Sequence, residues 1–271
     1  MRHWPEHDVQ VNGIQVHYVR TGGDRPPFVL AHGLTDYGLC WVPVAQALER
    51  DYDLIMPDAR GHGRSSAPED GYGYTALAED LCAFCDALGL ERPLLMGHSM
   101  GAATVAQLAA ARPDLPRAII LEDPPWRKSL PVGGEARREQ AEGLVRQIIA
   151  QNAMSAEELI SPHREHYPTW SDMELVHWAE SKRLVSPNAA QIITAKTAPW
   201  QETAQRISCP VLLLRADPEL GGIVTDATAE EARRLWRQGQ DVRIEGAGHC
   251  IHREQFGAVM RAVTTFIQAL A

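Results

Sequence analysis

The chain has 271 residues, 45% of them hydrophobic and 23% charged, with a formal net charge of −9. A chain of this length buries roughly three quarters of its unfolded surface and needs neither disulfides nor a structural metal to hold a core. The acidic balance excludes an electrostatic grip on nucleic acid or anionic lipid, and apolar runs as short as "PVLLL" exclude a membrane span.

In chain order, "DVQVNGIQVHYVR" reads as two alternating strands joined by Asn12-Gly13, a hairpin signal. "PPFVLAHG", "YDLIMPDARGHG", "PLLMG", "RAIILED", "PVLLLRAD" and "QDVRIEGAGH" follow as strand-length apolar runs. Helical stretches separate them: "WVPVAQALER", "YTALAEDLCAFCDALGL", "MGAATVAQLAAARPD", "TAEEARRLWRQG" and "REQFGAVMRAVTTFIQAL". This alternation predicts an α/β fold with a mostly parallel, doubly wound sheet of about eight strands, opening on an antiparallel pair.

The alternation breaks between Trp126 and Trp200, where the text is helical, polar and interrupted by prolines. So long an insertion reads as a helical cap after the sixth strand. The division is a core of 1–125 and 201–271 with a lid of 126–200, and Gly133-Gly134 is a candidate hinge. The lid holds Trp126, Trp170, Trp178 and Trp200. Tryptophans there either glue the lid to its base or face an apolar pocket, and Trp126, Trp170 and Trp178 are taken as pocket candidates.

The cysteines are Cys40, Cys82, Cys85, Cys209 and Cys250, an odd and scattered set that points to a reducing, cytoplasmic setting. Cys82 and Cys85 form a C-x-x-C inside a helical stretch with no second Cys/His pair nearby, so buried small hydrophobes are expected rather than a metal site. "MRHWPEHDVQVNG" lacks the basic start and apolar core of a signal peptide.

"GHSMG" is G-x-S-x-G between a strand and a helix, the context of a nucleophile elbow. Glycines on both sides let strand and helix backbones approach, and the turn aims Ser99 at the carboxyl edge of the sheet. A helix amino terminus beneath it offers N–H groups to a developing oxyanion. The amide of Met100, the residue after the serine, is one such donor. The bland alternative is a structural serine cap.

Together, "VLAHGLTD", "MPDARGHGRSSAPED", "LLMGHSMGAA", "LLLRADPE" and "GAGHCIHRE" resemble the α/β-hydrolase fold superfamily, in particular its capped esterase, lactonase and cofactor-free peroxidase-like members. The resemblance implies His249, after the last strand, as the base that activates Ser99, and Leu34 in "HGLTD" as the second oxyanion amide. His98 is expected under the elbow or against substrate, His252 in a structural role, and His62 in loop architecture. The family acid usually follows the next-to-last strand, three residues after a glycine. Here Ala216 replaces that glycine and the loop is lengthened, which leaves Asp217 and Glu219 as candidates and favours Asp123 after the preceding strand.

The implied reaction is cleavage of a carboxylic ester or lactone of a moderately apolar small molecule through an acyl-enzyme on Ser99, without metal or cofactor. Carbon–carbon bond hydrolysis and perhydrolysis are alternatives within the fold. A ligand receptor with little turnover is the alternative of another class. Serine rather than aspartate at the elbow argues against epoxide hydrolase and dehalogenase chemistry.

Overall fold

The computed structural model describes residues 4–127 and 134–270. Strand β1 (Glu6–Val11) turns through Asn12 and Gly13, at φ 48° and 78°, into the antiparallel β2 (Ile14–Arg20). Both turn residues are left-handed, the conformation that matches strand twist and that Asn-Gly tolerates. Next come β3 (Pro27–Ala31), α1 (Val42–Leu48), β4 (Asp53–Pro57), α2 (Tyr74–Ala87), β5 (Leu94–His98), α3 (Met100–Ala111) and β6 (Ala118–Glu122). After β6 a helical insertion contributes α4 (Gly134–Asn152), α5 (Ala156–His166) and α6 (Asp172–Leu184), then a 3₁₀ segment (Pro187–Ile193). The short α7 (Trp200–Ala204) leads back to β7 (Val211–Arg215), α8 (Asp226–Leu235), β8 (Gly239–Arg243), α9 (Ile251–Glu254) and α10 (Phe256–Gln268).

The eight strands lie in the order β1-β2-β4-β3-β5-β6-β7-β8, antiparallel at β1/β2 and β2/β4 and parallel elsewhere. Strands β3 to β7 are buried on both faces, so they read as continuous apolar runs rather than alternating ones. One face packs on α2, α3 and α8 through residues such as Phe84, Val105, Leu108 and Ala232. The other packs on α1 and α10 through Trp41, Val44, Val263 and Phe266. With both faces covered, the carboxyl ends of the parallel strands are left as the edge on which a site can be built.

Capping boxes set the starts of two helices in the insertion. Ser155 pairs with Glu158 at α5, and Ser171 with Glu174 at α6, each serine accepting from the N3 amide while the glutamate accepts from the serine amide. The insertion is stitched to the loop after β4: Ser186 N donates to Gly61 O at 2.8 Å, and the Asn188 and Gln191 side chains donate to Pro68 O and Glu69 O. Gly134 opens α4; its neighbour Gly133, named above as half of a hinge, lies outside the described residues. No helix among the described residues is long and apolar enough to cross a membrane. Cys85 packs in the core and Cys82 is half-buried; burial pushes their thiols up to about 12 and about 11.

Candidate active site

Strand β5 runs straight into α3 with one residue between them. Ser99 takes φ 51° and ψ −111°, a conformation that L side chains seldom adopt and that here lifts its hydroxyl off the sheet edge. Its amide donates to Glu122 O at 2.8 Å and its carbonyl accepts from Ala103, so the strain is held at both ends. The flanking glycines are needed for approach. A Cβ on Gly101 would stand 2.1 Å from Ala31 O, and one on Gly97 would stand 2.3 Å from the Gly101 backbone. Gly101→Ala is expected to cost about 3 kcal/mol or more, because the obstacle is backbone and cannot rotate away. Urea denaturation of the variant measures it, and an unchanged midpoint would refute the close approach.

Three side chains meet in one chain of hydrogen bonds. His249 Nε2 lies 3.0 Å from Ser99 Oγ, and His249 Nδ1 lies 2.7 Å from Asp123 Oδ2. Asp123 follows β6 at φ 41° and is fully buried. Its carboxylate also accepts from Ile223 N, at 2.9 Å to Oδ2 and 3.1 Å to Oδ1, and from Val224 N at 3.0 Å. A carboxylate so placed holds the imidazole with its proton on Nδ1, leaving Nε2 free to accept from the serine. The other two acid candidates lie elsewhere. Asp217 accepts from Arg243 Nε at 2.6 Å and Gly246 N at 2.7 Å, and exposed Glu219 lies 3.7 Å from Arg243.

Met100 is the first residue of α3, and its amide has no intrahelical partner. Among the described residues nothing accepts from it or from the Leu34 amide. The Leu34 loop is braced by two buried histidines. His32 donates from Nδ1 to Gly33 O at 2.8 Å and accepts from Ala59 N at 2.9 Å. His62 donates to Arg60 O and accepts from Thr35 N at 3.2 Å. These partners require the neutral, Nδ1-protonated tautomer in both rings.

His98 donates from Nε2 to the His249 carbonyl at 2.9 Å and is 3% exposed, so its ring supports the backbone of His249 from beneath the elbow. Burial pushes His62 and His98 each down to about 3. Their folded values lie below the unfolded value near 6.5, so between those values the unfolded chain binds protons that the folded chain does not. The stability they contribute is complete above about pH 6.5 and falls as pH drops, on the order of 1 kcal/mol per pH unit for each. Urea midpoints from pH 7.5 to 4.5 should fall accordingly, and a flat profile would contradict neutral burial.

Residues not singled out as site candidates complete the support. Glu254 accepts from Gly248 N at 2.7 Å and Cys250 N at 3.3 Å, gripping the His249 loop on both sides. His252 is bound through its amide and Nδ1 to Glu122 Oε1, at 2.9 and 2.8 Å. Burial pushes the Glu122 carboxyl up, but His252 outweighs it and holds the group at about 2. Asp36, under the Leu34 loop, receives Arg253 and, from α6, Lys182. Asp36 and Glu254 close the stretches "VLAHGLTD" and "GAGHCIHRE" and Glu122 ends "RAIILE", but nothing in those stretches names their partners, which only folding brings near.

The pocket tryptophans separate. Trp126 stacks on Trp200 at 4.9 Å and 12°, in the core on the α3 and α8 side of the sheet, where the chain turns back from β6. Trp170 and Trp178 stay with the insertion, packed with Leu159, Leu175 and Ala179, and Cys250 beside His249 packs against that cluster.

The sequence signature of the alpha/beta hydrolase fold family matches residues 26–255. The chain is similar to N-formylmaleamate deformylase of Pseudomonas putida, 32% identical over 272 residues that span 96% of this chain and 95% of that protein. It is similar to 2-(acetamidomethylene)succinate hydrolase of Mesorhizobium japonicum, 28% identical over 93% of this chain and 91% of that protein. Among solved structures, E-2-(acetamidomethylene)succinate hydrolase superposes with a TM-score of 0.83 at 24% identity, covering 98% of this chain and all of that one.

Proposed function

The chain belongs to the α/β-hydrolase fold family, and we propose that it is a serine hydrolase that cleaves a small carboxylic ester or lactone through an acyl-enzyme on Ser99. The observation that carries this reading is the unbroken chain Ser99–His249–Asp123, at 3.0 and 2.7 Å, on a strained strand-to-helix turn. His249 takes the serine proton as Oγ attacks the acyl carbon. The tetrahedral oxyanion is received by the Leu34 and Met100 amides, and collapse expels the leaving group with the proton returned by His249. Water then repeats the sequence on the acyl-enzyme, with His249 again as base. Asp123 stabilises the imidazolium in both halves.

A second reading keeps the machinery and changes the bond. One relative is named a deformylase acting on an N-formyl compound, and another a hydrolase of an acetamido compound. Cleavage of an N-acyl group uses the same attack and oxyanion contacts, with His249 protonating a poorer leaving group. A panel of p-nitrophenyl esters, small lactones and N-formyl and N-acetyl amides separates the two. The ester reading expects kcat/KM for esters at least about 100-fold above that for amides of matched shape, or about 2.7 kcal/mol. The reverse order would move the N-acyl reading to the front. Saturable binding without turnover of any of them would favour a receptor.

A further inference from the structure

Between the insertion and the sheet edge, two buried cations share one carboxylate. Lys182 of α6 spends its three N–H groups on Thr35 O at 2.8 Å, Thr35 Oγ1 at 2.9 Å and Asp36 Oδ1 at 3.1 Å. Arg253 of α9 reaches Asp36 Oδ2 with Nη2 at 3.0 Å. The side chains of Lys182, Asp36 and Arg253 are 8%, 7% and 2% exposed. Burial alone would raise the Asp36 carboxyl, but Arg253 and Lys182 outweigh it and hold it ionised. The group therefore carries one uncompensated positive charge in a place where an unpaired charge costs several kcal/mol.

Among the described residues no other carboxylate is ion-paired to either cation. Glu254 turns to the Gly248 and Cys250 amides, Glu122 to His252, and Glu180 to Tyr37. Arg253 also has donor capacity left over. Its Nε is buried without a hydrogen-bond partner among the described residues, while its guanidinium lies 4.7 Å from the centre of the Trp170 ring. Trp170 Nε1 and His163 Nε2 are buried and unpartnered too, and the His163 ring sits 4.8 Å from that of Trp170. Unpartnered indoles also occur in the core at Trp41, Trp200 and Trp236; what distinguishes Trp170 is the guanidinium against its face. Burial, with Lys182 and Arg253 adding to it, pushes His163 down to about 4, so its ring feels the same excess of positive charge.

A surplus cation with an unused N–H is the complement of a carboxylate. The cluster also adjoins the proposed chemistry on two sides. Thr35 and Asp36 continue the Leu34 loop, and Cys250, next to His249, packs against the cluster that holds Trp170. We infer that the substrate carries an ionised carboxyl group in addition to its scissile acyl group, and that Arg253 binds it beside Trp170. This rests on the serine-hydrolase reading for what happens next, but the anion site itself can be tested without turnover.

The probe is succinate, with the uncharged succinamide as its isostere, titrated by calorimetry and tryptophan fluorescence into the wild-type chain and into Ser99→Ala. Succinate should bind both, with succinamide weaker by at least roughly 30-fold, and should compete with p-nitrophenyl acetate in the wild type. Arg253→Gln should lose the preference for monomethyl succinate over dimethyl succinate, read as a ratio of kcat/KM, and Arg253→Lys should keep part of it. Equal binding of succinate and succinamide by the wild-type chain overturns the inference, whether or not Arg253→Gln folds. So does a folded Arg253→Gln that retains the preference. If succinate binds selectively while no ester, lactone or amide is turned over, the hydrolase reading fails and the anion site stands. If Ser99-dependent hydrolysis is robust and succinate does not compete, the reverse holds.

Discussion

Asp123→Asn should lower kcat on an activated ester by roughly 10⁴-fold with the fold intact. The carboxylate serves two sets of donors at once: the Ile223 and Val224 amides, and His249 Nδ1. An asparagine has one oxygen for both. If the oxygen keeps the amides, its NH₂ faces His249 and forces Nδ1 to accept, which puts the proton on Nε2, where it blocks the serine. If the oxygen faces His249, the NH₂ meets two backbone donors in a site closed to water, at about 1–3 kcal/mol for each donor stranded. Asp217→Ala and Glu219→Ala, whose carboxylates face Arg243 instead, should cost less than about tenfold, or 1.4 kcal/mol of transition-state stabilisation. Steady-state kinetics of the three variants decide the matter. A collapse at Asp217 or Glu219 with Asp123→Asn near wild type would assign the acid elsewhere.

Ser99→Ala should be the more severe change, on the order of 10⁶-fold in kcat. The Ser99 hydroxyl has His249 as its hydrogen-bond partner and no cap role, since its side chain makes no bond to the helix it precedes. Removing it should therefore leave the urea midpoint within about 0.5 kcal/mol of wild type. Residual rate, if measurable, would come from the Met100 and Leu34 amides stabilising the oxyanion formed as water attacks directly. Mass spectrometry after a fluorophosphonate supplies an independent check: wild type should gain one adduct at Ser99, and the variant none. An undiminished rate in Ser99→Ala would remove the acyl-enzyme from the mechanism.

Local signals were the legible ones. Asn12-Gly13 announces its hairpin because only the two central residues decide the turn. "GHSMG" announces the bend at Ser99 because the close approach of Gly101 to Ala31 needs a missing side chain at that one position. The acid was harder to read, since three carboxylates follow strand ends and only the fold decides which one meets His249; Asp123 does so across 126 residues of sequence. Trp126 was half legible for a related reason. It lines a cavity with Gln107 and Trp200, but its stacking on the Trp200 ring, 74 residues on, was not visible from the spacing. Lys182 gave no signal at all, and Asp36 only its place at the end of "HGLTD": each is an ordinary surface residue type until the insertion folds down on the Leu34 loop.

The separation in sequence of these partners has a consequence for how the molecule comes into being. Ser99 meets His249 across 150 residues, Asp36 meets Lys182 across 146, and Asp36 meets Arg253 across 217. Contacts of such range close late, after the loops between them have been paid for in entropy. During synthesis the sheet can grow from β1 to β7 while Asp123, Ser99 and Asp36 all still wait for the segment that carries His249 and Arg253. A nascent chain stalled before residue 249 would thus present a folded elbow with an inert serine. The hydrogen-bonded chain closes only with the segment that also lays Val263 and Phe266 of α10 over one face of the sheet.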